Sequence, residues 1–325
     1  MYIFFFSKIS YAEILDFETE NFIKDIISII SDINKYDKEV PFSIILDENP
    51  NAFVNQNEKL HLSTGLIKYA ESYEALVGVI AHEIAHLQKF HIIKRRKSIK
   101  KISQLENITK FSLIAGSLLT ENSEYLLQSL ITNQEGIKNY FYSFSQDQER
   151  EADYYAINTL TKLRLDKNPL KKFLNLLEYQ SSQNGNIEEY HKFSTHPIFK
   201  ERYEIIDNSK KNKEYNFDEN LEKRYKFIKA KLFAFTDNIS ESQQASFKND
   251  FRIYYNSILY ARKGKLKKSM KLINKVIINN PDNYYLLEVK ADLLYSSGFI
   301  NESLLFYNKI INFMPSNNYI NKRLF

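Results

Sequence analysis

Apolar residues at positions 22, 23, 26, 27, 29, 30 and 33 recur with a helical period, and Pro41 closes that first helical region. Residues 42–46 form a β-branched and aromatic run, followed by the turn-rich Asp47-Glu48-Asn49-Pro50-Asn51. Residues 59–63 then alternate, with Leu60 and Leu62 on one face. These patterns predict two strands of a small sheet. Ser72 stands where an N-cap belongs, and the apolar period behind it continues to Ile93. Residues 105–131 read as an apolar helical hairpin or lid, with Ile108, Phe111, Leu113 and Ile114 as core positions, and the polar stretch 132–138 ends it. Further helices are predicted over 146–165, from Pro169 to about Ser182, after the segment Phe193-Ser194-Thr195-His196-Pro197, and over 219–235.

The C-terminal part repeats. Gly264 recurs as Gly298, Ser269 as Ser303, Ile277 as Ile311 and Pro281 as Pro315, each pair thirty-four residues apart, which is the tetratricopeptide period. About two helix-turn-helix units are expected over 250–325, capped by the helix at 219–235. Two such units bury little surface and should lean on the rest of the protein.

Composition narrows the partners. With 43% apolar and 14% aromatic residues in 325, the chain has ample material for a globular core. A net charge of +5 gives no basis for nucleic-acid binding. Lys94, Arg95, Arg96, Lys97, Lys100 and Lys101 suit a solvated helix end, with peripheral contact to anionic lipid as the alternative. No run reaches the roughly 18–20 apolar residues of a membrane span. The absence of cysteine rules out disulfides and thiolate metal sites, so a metal must be held by histidine and carboxylate. Ile3-Phe4-Phe5-Phe6 with Ser10-Tyr11-Ala12 reads as a truncated export signal over 1–12, lacking a basic start; an ordinary N-terminal strand is the alternative.

The candidate chemistry begins at His82-Glu83-Ile84-Ala85-His86. On a helix, residues four apart share a face, so the two imidazoles project together with the carboxylate between them, about 100° round the axis. A hydrolytic zinc takes three protein ligands and keeps one position for water. His82 and His86 supply two. Glu149, on a separate helix, is the candidate third, and Asp153 one turn on can accept a hydrogen bond from the distal nitrogen of a ligand histidine. Glu151 points about 200° from Glu149 and cannot serve the same site. Glu83 is placed to act as general base, and His196 and Arg202 are candidates for stabilising an oxyanion. An exposed sheet edge around His61 could accept an extended chain by main-chain pairing.

These residues resemble a known family. His82-Glu83-x-x-His86, Glu149-x-x-Ala152-Asp153, and Ser194-Thr195-His196-Pro197 with Arg202 are together similar to the zinc endopeptidases related to the CAAX prenyl protease and the heat-shock membrane protease. Asn51-Ala52-Phe53 and Leu62-Ser63-Thr64-Gly65-Leu66 add to the likeness, while Gln56-Asn57-Glu58 stands where a glycine-rich turn is usual. Fusion to tetratricopeptide repeats is closest to the periplasmic branch that enhances β-barrel assembly. The resemblance implies one zinc per chain on His82, His86 and Glu149, with Glu83 catalytic and His196 able to serve as a fourth ligand or plug. It also implies a periplasmic role in quality control of misassembled outer-membrane proteins, with the repeats docking the assembly machinery. The alternative is a repeat-based scaffold whose zinc site His196 keeps closed.

The expected architecture is α+β and mostly helical. A gluzincin-like metalloprotease domain with a small sheet spans 13–210, connecting helices span 211–249, and the repeat arm spans 250–325.

Overall fold

The computed structural model describes residues 12–55, 57–89, 146–183, 199–236 and 247–324. The export-signal reading over 1–12 lies outside these residues except for Ala12, and the basic run, the apolar hairpin and the His196 segment lie wholly outside them. The chain is mostly helical with a small mixed sheet. In chain order the first elements are β1 (Glu13–Ile14), α1 (Phe17–Asn34), β2 (Phe42–Ile45), β3 (Ala52–Val54), β4 (Leu60–Ser63), α2 (Thr64–Tyr69) and α3 (Tyr73–Gln88). Next come α4 (Gln146–Leu163), α5 (Asn168–Gln183), α6 (Phe199–Asn208) and α7 (Glu219–Thr236). Then follow α8 (Asn249–Arg262), α9 (Leu266–Asn279), α10 (Tyr285–Ser296), α11 (Ile300–Ile311) and α12 (Asn318–Leu324). None of the described helices is long and apolar enough to cross a membrane. The described elements fall into two compact units, one within Ile26–Phe217 and one within Asp218–Phe325 together with Ala12–Asp25.

In the first unit the strands run in the order β2, β4, β3, with β2 parallel and β3 antiparallel to β4. Strand β3 is an addition to the two strands the pattern predicts. It is only three residues long, too short for alternation to be read, although Ala52 and Val54 are buried as a period of two requires. The turn that joins it to β4 needs no glycine. Asn55 Oδ1 accepts from the amides of Asn57 (2.9 Å) and Lys59 (3.1 Å), and Glu58 takes a left-handed φ of 61°.

The junction of β4 and α2 anchors the loop between β2 and β3. Ser63 caps α2, accepting from the Leu66 amide at 2.9 Å, while its hydroxyl donates to the Asn49 carbonyl at 2.7 Å. Asp47 O accepts from both Thr64 Oγ1 and the Gly65 amide at 2.8 Å. A Cβ on Gly65 would fall far inside contact distance of the Glu48 carbonyl. The fully buried Lys68 ammonium finds its counter-charge on Glu48. Ser72 then caps α3, its hydroxyl accepting from the Glu74 amide. The apolar face of α3 packs on β3 and α4, and Gly78 lets Leu170 of α5 sit directly against the α3 backbone.

In the second unit α7 to α12 pack each on the next. The thirty-four-residue recurrence corresponds to two helical hairpins, α8 with α9 and α10 with α11. Gly264 and Gly298 take φ of 71° and 86°, and the same six-to-one bond closes both helices, Lys265 N to Tyr260 O and Phe299 N to Leu294 O. Ser269 and Ser303, one turn into the following helices, are completely buried, and side chains that small let paired helices approach. At the start of α1, Asp16 accepts from the Thr19 amide at 2.9 Å and, with Glu18, holds the buried Lys231 ammonium of α7 at 2.8 and 2.7 Å. Burial alone would lower the Lys231 pKa, but the two carboxylates outweigh it and hold the pKa well above the usual lysine value.

Two tests follow from this packing. Gly65→Ala should destabilise the protein by on the order of 3 kcal/mol in chemical denaturation, because the new methyl meets backbone and not a side chain that can turn away. In the second unit, burial pushes the Glu288 carboxyl up to about 8 despite the attraction of Lys231. The folded state therefore holds this proton more tightly than the unfolded chain, so stability contributed at acid pH is lost as pH rises from about 4.5 to about 8. Glu288→Gln keeps the shape and the acceptor for Asn317 Nδ2. Relative to wild type it should gain on the order of 1–3 kcal/mol between about pH 5 and pH 8.5. A stability difference that stays flat with pH would refute the assignment.

Candidate metal centre

His82 and His86 leave the buried face of α3 one turn apart, and helix α4 brings Glu149 to them. Ala81 and Ala85 on α3, and Ala152 and Ala156 on α4, are buried, and α4 packs closely on α3. The distances between donor atoms are 3.2 Å for His82 Nε2 to His86 Nε2, 3.3 Å for His82 Nε2 to Glu149 Oε2, and 3.6 Å for His86 Nε2 to Glu149 Oε1. Zinc held by bonds of about 2.0–2.1 Å keeps tetrahedral donors about 3.3 Å apart. The two imidazoles and the carboxylate thus stand close enough together to hold one metal ion, and they are the only group of that kind among the described residues. All three are buried, as is Glu83, at 2% exposure, on the same turn of α3.

Behind the ligands, Asp153 Oδ1 lies 2.8 Å from His82 Nδ1 and 2.9 Å from Arg202 Nε. Burial would raise the Asp153 pKa, but the Arg202 guanidinium and His82 hold it below the usual carboxylate range. The carboxylate thus accepts the Nδ1 proton of His82, which leaves the lone pair on Nε2, the nitrogen on the Glu149 side. Arg202 Nη2 also stands 3.4 Å from His82 Nδ1, but a nitrogen already carrying a proton toward Asp153 accepts nothing from it. Burial would lower the His82 pKa, and the carboxylates of Asp153 and Glu149 raise it instead. The carboxylates that favour a proton on the ring would also favour a metal cation in that proton's place on Nε2.

The sequence-derived set is placed as follows. His82, His86 and Glu149 converge, Asp153 stands behind His82, and Glu151 turns away to pair with Lys89 at 3.2 Å. Arg202 bonds Asp153 and stands 3.4 Å from His82 Nδ1. His196 lies outside the described residues. The expectation of an exposed edge at His61 is corrected, because β4 has β2 on one side and β3 on the other. His61 is instead a structural bridge. Its Nδ1 meets Ser43 Oγ at 2.9 Å, its Nε2 meets Asn55 Nδ2 at 2.8 Å, and its ring stacks on Phe53. Only the strand order reveals that role.

A buried His-Glu-x-x-His helix crossed by a carboxylate-bearing helix defines the class, and comparison with known proteins agrees. The model of Peptidase family M48 matches residues 19–210, more than half of the chain, and the chain belongs to that family. Among its relatives is the putative beta-barrel assembly-enhancing protease of Vibrio cholerae, 26% identical over 280 residues, covering 79% of this chain and 55% of that protein. The beta-barrel assembly-enhancing protease of Escherichia coli is 22% identical over 287 residues, covering 85% of this chain and 58% of its own. A mitochondrial metalloendopeptidase of Schizosaccharomyces pombe is 27% identical over 165 residues, half of this chain and 44% of that one. The chain thus spans about half the length of the relatives it matches.

Replacing Glu149 by Gln should abolish stoichiometric zinc uptake measured by elemental analysis, while Glu151→Gln, at a residue paired with Lys89, should leave about one zinc per chain. Equal loss from both would show that the donor set is wrongly drawn.

Proposed function

We propose that this chain is a zinc-dependent endopeptidase that hydrolyses unfolded or misassembled outer-membrane proteins in the periplasm. The observation that carries the reading is the donor triangle of His82, His86 and Glu149, at separations that suit one tetrahedral zinc, with Glu83 buried on the same helical turn. A zinc ion held by His82, His86 and Glu149 would supply Lewis acidity for a water and for the scissile carbonyl. Glu83 takes the proton of the attacking water and delivers it to the leaving nitrogen. Asp153 keeps His82 in the tautomer that presents Nε2, and Arg202 holds Asp153. His196 completes the scheme either as a donor to the developing oxyanion or as a fourth ligand that closes the site.

The substrate class rests on the names of the bacterial relatives, which place β-barrel assembly beside proteolysis. In this reading the hairpins α8–α9 and α10–α11 are tetratricopeptide units that dock the assembly machinery, and contact with the membrane is at most peripheral.

The test is hydrolysis of an unfolded protein such as casein by the zinc-loaded full chain and its Glu83→Gln variant. The variant should keep its zinc and lose about 100- to 10,000-fold in kcat/KM, the usual contribution of a general base. Hydrolysis undiminished in Glu83→Gln, or absent from the zinc-loaded wild type, would overturn the proposal.

A further inference from the structure

Helix α6 is attached to the first unit in an unusual way. Of its side chains from Glu201 to Asn208, only Ile206 is buried. Three of its ties lie at the surface, Lys171 to Asp207 at 2.6 Å, Tyr203 Oη donating to Glu178 at 2.8 Å, and Arg150 to Glu201 at 3.4 Å. Surface contacts hold a helix weakly, because water and salt compete for each of them. Just past its end the buried Lys167 ammonium donates to Ser209 Oγ at 2.9 Å and to the Lys210 carbonyl at 2.6 Å. Arg202 is the tie that reaches the candidate metal centre. Its side chain is 13% exposed and reaches the buried Asp153, whose Oδ1 is the same oxygen that meets His82 Nδ1.

We infer that Arg202 is a positioning residue that couples docking of α6 to retention of the metal, so that metal release and α6 release are one linked event. The inference rests on the reading of His82, His86 and Glu149 as the zinc ligands. One carboxylate oxygen serves two donors, so its position is set jointly by the α6 guanidinium and the α3 imidazole. Without the guanidinium, Asp153 is a buried carboxylate with one partner fewer, free to turn, and the His82 ring loses the acceptor that aims Nε2. The reverse holds by linkage. A metal that fixes His82 also fixes Asp153, which preforms the socket that Arg202 enters, so zinc favours the docked state of α6 by the same factor that α6 favours zinc. Arginine suits this task because its Nε–H is held in a rigid plane and reaches one oxygen along a defined direction, which a lysine ammonium does not.

The experiment uses the full chain as wild type, Arg202→Gln, Arg202→Lys, Asp153→Asn and the Arg202→Gln/Asp153→Asn double variant. Zinc dissociation constants are measured by competition with a chromophoric chelator, and amide hydrogen exchange over 201–208 is followed with and without zinc. Arg202→Gln should weaken zinc binding about 10- to 100-fold, with Arg202→Lys recovering part of the loss. In the Asp153→Asn background the same substitution should add little, because the path to His82 is already cut. In wild type, zinc should slow exchange across α6 by about 5-fold or more, a measurement that needs no substitution. A wild-type chain that binds zinc with α6 exchange unchanged, or an Arg202→Gln chain that binds zinc as tightly as wild type, would overturn the coupling while leaving the metal site standing. A wild-type chain that takes up no zinc would remove both.

Discussion

The close approach of α4 to α3 is the constraint on which the rest of the protein depends. Two imidazole nitrogens from one helix and the two oxygens of a carboxylate from another stand at separations close to the edges of a zinc tetrahedron, and nothing within either helix could set that spacing alone. The separation of the helices is set by what lies between them, and both helices carry buried alanines, side chains small enough for close packing. The sheet, the loop lock at Ser63 and the packing of Leu170 against Gly78 all serve to hold α3 where α4 can meet it.

A second theme is how the chain buries charge. Lys68 with Glu48, Lys231 with Asp16 and Glu18, and Arg202 with Asp153 each place a cation inside protein with a carboxylate in contact. Pairs of this kind add little net stability over an apolar substitute, but losing one partner costs heavily, so they select one arrangement against its neighbours. The first locks the β2–β3 loop onto α2, the second the start of α1 onto α7, and the third ties α6 to the metal ligands. Glu288 is the counter-case. Its burial is offset so incompletely that the carboxyl stays protonated near neutral pH.

The elements were legible to different depths, and the differences have physical causes. The helices read well because a period of 3.6 accumulates over many residues, and the predicted ends at Ser72 and near Leu163 carry their own signals. The expected end at 165 moves back to Leu163 because Arg164 adopts φ 57° and Leu165 N turns back to Leu160 O. Strand β3 went unread because three residues between asparagines hold too little pattern. The supposed free edge at His61 failed because strand order is a property of pairing partners, and β4 became the interior strand only when Ala52–Val54 folded back on it.

What the sequence determined by itself was everything governed by a single helix. His82 and His86 share a face because they stand four apart, Glu83 lies between them, and Glu149 rather than Glu151 can look the same way as Asp153. What only the tertiary structure decided was which of these faces meet. That Asp153 lies behind His82, that Arg202 grips Asp153, and that His61 bridges Ser43 and Asn55 are facts about separate elements brought together. Periodicity fixes directions around one axis. Distances between axes come from packing, and it is those distances that a metal ion reads.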